Sequence, residues 1–296
     1  MERKTAADFH PEVLRLFDKF VHGLVDRRGF LEGAARYAAG GVTATMLLEQ
    51  LSPRFAQAQQ VAANDTRIVQ RRVDYASPEG SGTMRGYLVH KVAPAGRLPG
   101  VLVVHENRGL NPHIEDIARR LALDGFLAFA PDALFPLGGY PGDEDRAREL
   151  FAKLDQKKAQ QDFVAGATFL AGMPECSGKV GIVGFCYGGS IANMLATRLP
   201  ELAAAVPFYG SQPAAEAVAR IRAPLLIHYA DADERINAGW PAYEAALKAE
   251  GARYEMFKYP GTQHGFNNDT TPRFDEASAR LAWQRTVAFF RQHLAG

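Results

Sequence analysis

Residues 180–189 read Val-Gly-Ile-Val-Gly-Phe-Cys-Tyr-Gly-Gly, and no other stretch restricts the fold so strongly. An apolar run that ends in Gly-x-Cys-x-Gly-Gly reads as a strand, a sharp turn and the start of a helix. Such a turn holds its middle residue, Cys186, in a strained backbone conformation with the side chain above the sheet edge. Gly184 and Gly188 keep Cβ atoms out of space that neighbouring backbone needs. The helix start beneath the turn favours the thiolate. It also offers the backbone N–H of Tyr187 to a developing oxyanion. A buried structural cysteine in a tight turn is the competing reading; the strand–turn–helix setting argues for a nucleophile.

The rest of the chain supplies the sheet that such a turn requires. Residues 67–75 and 83–90 alternate and flank Ser-Pro-Glu-Gly-Ser-Gly, which predicts a hairpin. Val101–His105, Phe126–Ala130, Val180–Val183, Ala203–Phe208 and Leu225–Tyr229 are near-continuous apolar runs, as expected of strands covered on both faces. Tyr254–Tyr259 completes the set. Helical periodicity marks 114–123, 143–170, 190–197, 242–249 and 277–293. Strands that alternate with helices imply a mainly parallel α/β sheet with helices on both faces and the hairpin as an antiparallel edge. The predicted fold class is the α/β-hydrolase fold, with residues 61–296 as one catalytic domain. A hydrophobic share of 47% and a net charge of +1 suit a soluble core and give no basic stripe, so nucleic acid is an unsuitable partner.

The two cysteines, Cys176 and Cys186, are expected to stay free. A strand over 179–184 would separate them by roughly 17–20 Å, whereas a disulfide needs Cα atoms within about 7 Å.

The architecture places an acid after the nucleophile and a histidine after the acid. Of the histidines beyond Cys186, His228 sits inside the apolar run 224–229 and reads as core, and His293 lies on the last helix. His264 follows a strand in Gly-Thr-Gln-His-Gly-Phe and is the candidate general base. Asp231, Asp233 and Glu234 all lie just past the strand ending at Tyr229. Asp233 is preferred over Asp231 because Ile236 follows it by three. Its task would be to accept the Nδ1–H of His264 and fix the tautomer. No zinc-type spacing of His and Cys is present, and no metal or cofactor is expected.

Residues 26–32, Asp-Arg-Arg-Gly-Phe-Leu-Glu, resemble a bacterial twin-arginine export signal. A small-residue run over 37–48 and Ala56-Gln57-Ala58 extend that pattern. The expectation is an exported, periplasmic protein without a stable membrane anchor, since the apolar run is too short to span a bilayer. The alternative is a helical extension on a cytoplasmic enzyme. Val13, Leu14, Leu16, Phe17, Phe20, Val21 and Leu24 recur at helical spacing. On either reading residues 1–60 lie outside the catalytic fold.

Three segments together resemble the dienelactone hydrolase family: Val-His-Glu-Asn-Arg-Gly at 104–109, Gly-Phe-Cys-Tyr-Gly-Gly at 184–189, and His-Gly-Phe at 264–266. Ala-Pro-Asp at 130–132 is a weaker fourth. The resemblance spans about residues 65–294 and, with the N-terminus, suggests an exported branch. It implies a Cys186–His264–Asp233 triad, with Glu106 touching the thiol before substrate arrives and the Asn107 N–H as second oxyanion donor. The residues alone also allow Glu106 to pair with Arg108. Family members that open dienelactone hold its carboxylate with two arginines, and neither matching place carries one here. Arg108, Arg235 and Arg273 are the substitutes in reach, Arg108 and Arg273 being the substrate-binding candidates.

These observations predict a hydrolase of small esters or lactones that works through an acyl-thioester. A peptidase or amidase would need a larger lid or extra domain. A thiol-based sensor or binding protein on the same fold would show a reactive Cys186 without turnover. The sequence leaves the homo-oligomeric state open.

Overall fold

The computed structural model describes residues 4–295. Eight strands build a single sheet: β1 (Ile68–Ser77), β2 (Gly82–Lys91), β3 (Leu98–Val104), β4 (Leu127–Pro131), β5 (Cys176–Phe185), β6 (Ala204–Phe208), β7 (Leu225–Ala232) and β8 (Tyr254–Gln263). Their order is β1-β2-β4-β3-β5-β6-β7-β8. β1 pairs antiparallel with β2, and β2 antiparallel with β4. The remaining neighbours are parallel. This is the α/β-hydrolase fold.

Both sheet faces are covered, which explains the unbroken apolar runs. One core joins Val101, Val103, Val183, Val206 and Phe208 to Ile114, Ile117, Leu121 and Phe290. These last residues come from α5 (Pro112–Leu123) and α11 (Glu276–Leu294). The opposite core joins Leu102, Val104, Ile182 and Ile227 to Phe163, Leu170, Leu195 and Leu247. Those lie on α7 (Gln156–Ala171), α8 (Tyr187–Arg198) and α10 (Trp240–Ala249). The helix expected over 143–170 is two helices, α6 (Glu144–Phe151) and α7. Asp155 breaks it, because its carboxylate accepts from the N–H groups of Lys157 and Lys158 and caps a new helix.

The strand expected over 179–184 begins earlier: Cys176 is the first residue of β5, opposite Leu98 and fully buried. Both cysteines are free thiols.

Residues 4–60 form a separate helical layer with α1 (Pro11–Val21), α2 (Arg27–Ala34), α3 (Ala44–Leu51) and α4 (Phe55–Ala58). Val13, Leu14, Phe17 and Phe20 face Phe30, Leu47, Leu48 and Leu51 in a core that belongs to the layer alone. Asp26 caps α2 through the Gly29 N–H, and Arg27 pairs with Asp145 of α6. No helix among the described residues is long and apolar enough to cross a membrane.

Where the layer meets the sheet domain, buried charges take over. Asp269 pairs with His113 at 3.2 Å and Arg120 at 2.6 Å and accepts from Gln60 Nε2 at 2.8 Å. Burial pushes this carboxyl up, but His113 and Arg120 outweigh it and hold it down to about 2. A carboxyl lowered in the folded state stabilises the fold above its ordinary value near 4, and loses that contribution as pH falls towards 2. Asp269→Asn should therefore cost about 2 kcal/mol at pH 7. Urea titrations should show that deficit shrinking below pH 4. A deficit that is the same at pH 7 and pH 3 would count against this origin.

Candidate active site

The turn after β5 is as sharp as the sequence requires. Cys186 has φ 55° and ψ −111°, a region L-residues seldom occupy, and its N–H donates to the Phe208 carbonyl at 3.1 Å. A Cβ on Gly184 would lie 1.9 Å from the Gly188 carbonyl oxygen, and one on Gly188 would lie 2.2 Å from the Val104 carbonyl oxygen. Both obstacles are backbone, so neither can yield. Gly184→Ala should cost at least about 3 kcal/mol or prevent folding; soluble yield and urea midpoints report it. A variant as stable as the parent would refute the close approach.

Parallel pairing brings the other candidates to the same sheet edge. Val104 pairs with Gly184, Phe185 with Phe208, and Phe208 with His228. Residues just past the carboxyl ends of β3, β5, β7 and β8 therefore converge, where open α/β sheets place their sites. His264 follows β8 directly and Asp233 follows β7. His264 Nδ1 lies 2.5 Å from Asp233 Oδ2, with both side chains almost fully buried. The other Asp233 oxygen accepts from the Ile236 N–H at 3.4 Å. That capping bond starts α9 (Glu234–Asn237) and explains the three-residue spacing to Ile236. Asp231 is exposed and accepts from the Gly261 N–H instead. Glu234 is exposed on α9. His228 is a core residue between Tyr259 and Thr286, and His293 packs on Phe289 on α11.

His264 Nε2 is buried and has no hydrogen-bond partner among the described residues. Burial pushes the Cys186 thiol up, but the charges of His264 and a second histidine, His22, outweigh it and bring it down to about 6. Burial likewise opposes a charged His264. The negative Cys186 and the bond to Asp233 win and raise it to about 10. These shifts describe a thiolate beside an imidazolium. Cys176, by contrast, is pushed up by burial.

The structure does not place Glu106 on the thiol. Its Oε2 accepts from Asn268 Nδ2 at 2.9 Å, so its partner is neither Cys186 nor Arg108. The short Asn268 amide reaches Glu106 from the loop after His264, whereas Arg108 is drawn away. Arg108 donates to the Val21 carbonyl at 3.2 Å and lies 3.8 Å from Glu144. Tyr187 is the first residue of α8, where a backbone N–H has no intrahelical acceptor. Asn107 lies on the same sheet edge past β3, and its side-chain amide donates to the Val21 carbonyl at 2.7 Å.

Sequence reasoning set residues 1–60 apart from the site, and it missed His22. This histidine caps the carboxyl end of α1, with Nε2 3.4 Å from Cys186 Sγ and its ring 4.8 Å from that of His264. Its Nδ1 meets the Asp18 carbonyl at 2.7 Å and the Asp18 carboxylate at 3.3 Å. Arg235 reaches His22 Nε2 at 3.0 Å, and Arg273 reaches Asp18 at 3.4 Å. Arg148 lies over Phe20 and donates to its carbonyl. The arginines in reach of the site thus meet the end of α1. The only sequence signal was a histidine four residues past an aspartate at the end of an amphipathic stripe; nothing local says that this stripe docks over Cys186.

The sheet, the strained Cys186 turn and the buried Asp–His pair at its edge define an α/β hydrolase. The profile of the Dienelactone hydrolase family matches residues 84–294, and the chain belongs to that family. A second profile, YqhI-like, matches residues 1–39. The chain is 34% identical over 231 residues to a protein of Salmonella typhi named "Putative carboxymethylenebutenolidase", covering 73% of this chain and 85% of that one. It is 51% identical over 114 residues to the Escherichia coli "Putative hydrolase fragment YghX", covering 38% of this chain and 97% of that one. A solved structure from Klebsiella pneumoniae, "Putative Dienelactone Hydrolase", superposes with a TM-score of 0.66 at 30% identity. It covers 76% of this chain and 99% of its own.

Proposed function

We propose that the chain hydrolyses small esters or lactones through an acyl-thioester on Cys186. The observation that carries this reading is the buried line Asp233–His264 ending in an unpartnered Nε2 beside a strained cysteine. The thiolate attacks the carbonyl, and the backbone N–H groups of Tyr187 and Asn107 receive the oxyanion. His264 protonates the leaving alkoxide, then draws a proton from the water that cleaves the thioester. Asp233 keeps the Nδ1 proton in place throughout. With Glu106 held by Asn268, its role is to shape the edge of the pocket rather than to take the thiol proton. Arg108 and Arg273 are the substrate-side cations, now engaged by the end of α1.

Iodoacetamide at pH 7, with aryl acetate hydrolysis followed in parallel, tests the reading. Cys186 should react and Cys176 should not, and activity should fall in step with Cys186 modification. Full alkylation without loss of activity would overturn the proposal. A reactive Cys186 with no turnover of any ester, lactone or amide would favour a sensor or binding protein.

The folded layer and its contacts with Cys186 support the retained helical extension for residues 1–60. Export with cleavage after Ala58 would remove His22. Intact mass from periplasmic and cytoplasmic fractions separates the two.

A further inference from the structure

Three donor atoms meet at the mouth of the site: Cys186 Sγ and a ring nitrogen from each of His22 and His264, all within 4.8 Å of one another. One of them comes from the N-terminal layer, so the cluster exists only while that layer is docked. We propose that His22, Cys186 and His264 form a binding site for a thiophilic divalent cation of the zinc class, and that occupancy switches hydrolysis off. The off-switch rests on the hydrolase reading; the binding site does not.

The donor set fits this chemistry. Zinc takes thiolate at about 2.3 Å and imidazole at about 2.0–2.1 Å, so tetrahedral donors lie roughly 3.3–3.7 Å apart. The His22 Nε2 to Cys186 Sγ distance is already 3.4 Å. Small ring rotations bring in His264 Nε2, which is buried and otherwise unpartnered. Each histidine also has the outer support that ligating histidines use, with the second ring nitrogen held by a carboxylate or carbonyl. His264 has Asp233 at 2.5 Å; His22 has the Asp18 carbonyl at 2.7 Å and carboxylate at 3.3 Å. Cys186, Asp18 and Asp233 supply negative charge for a dication. Three protein ligands leave a fourth position for water. A mixed sulfur–nitrogen set selects zinc-class cations over magnesium or calcium.

Guanidinium groups around the cluster oppose the cation, Arg235 and Arg108 among them. Arg235 places a guanidinium nitrogen 3.0 Å from His22 Nε2. It is an exposed side chain, so it can turn into solvent, but its charge must weaken binding. On binding, the metal takes the thiolate lone pair and the two imidazole lone pairs. Protons held on His264 and His22 pass to solvent, and no electron is transferred. A coordinated thiolate is no longer available to attack a carbonyl.

The test is a cobalt titration of the full chain after chelator treatment, with zinc as competitor and aryl acetate hydrolysis read in the same samples. The expected result is one equivalent of cobalt, a thiolate-to-cobalt charge-transfer band and d–d bands of tetrahedral intensity. Zinc should displace the cobalt and stop hydrolysis. His22→Ala should weaken binding at least about 10-fold. Asp18→Asn should weaken it less. Arg235→Ala should tighten it, a gain that a misfolded variant cannot produce. No charge-transfer band would overturn the site, as would equal affinity in the parent and His22→Ala. An unchanged or weaker affinity in Arg235→Ala would also count against it. A cobalt band in an enzyme that hydrolyses nothing when metal-free would leave the site standing and remove the hydrolase reading instead.

Discussion

Cys186→Ala should lower aryl ester hydrolysis by at least about 10⁴-fold, with no loss of folded protein. Removing a covalent nucleophile costs factors of this order or more, and what survives comes from the oxyanion donors and binding alone. The stability side follows from the turn. Its strain lies in the backbone of Cys186, with φ 55°, and its close approaches lie at Gly184 and Gly188. The substitution removes a single atom, Sγ, at the mouth of the site, so it leaves little cavity. Steady-state kinetics and a urea titration on the same preparation check both halves. A variant that keeps a tenth of the parent activity would transfer the nucleophile's role to another group.

Asp233→Asn should lower kcat by about 10²–10⁴-fold, while Asp231→Asn should stay within about twofold. The contrast follows from placement. Asp233 is buried against His264 Nδ1, whereas Asp231 is exposed on the Gly261 N–H. Asparagine at 233 can present its amide N–H to His264 Nδ1, which forces the proton onto Nε2, where it cannot accept from the thiol or from water. The amide oxygen still accepts from the Ile236 N–H, so the cap on α9 and the fold should survive. Equal losses in the two variants would remove the distinction between the two aspartates.

What could be read from the sequence follows the range of the interactions involved. The Cys186 turn is local: glycine spacing, an apolar strand and a helix start lie within ten residues, and the structure keeps that geometry. Asp233 and His264 are far apart in sequence, but each lies just past a strand of a parallel sheet, so topology alone brings them to one edge. The break at Asp155 was missed because apolar periodicity continues across it, while the cap depends on one carboxylate. Glu106 was assigned a thiol contact by resemblance, yet Asn268 holds it, a partner that only the folded loop after His264 supplies. His22 was out of reach for a stronger reason. Its helix has its own core, and its seat over Cys186 depends on arginines from several distant segments meeting the end of α1.

The acyl-thioester is the centre of the account, and one measurement addresses it directly. The enzyme is mixed with an aryl acetate under chelator, quenched in acid within the first turnovers, digested, and the Cys186 peptide weighed. The expected result is an acetyl increment on Cys186 that hydroxylamine removes and that persists longer in Asp233→Asn. Steady hydrolysis with no acetyl on Cys186 at any quench time, or with the acetyl on another side chain, would contradict it.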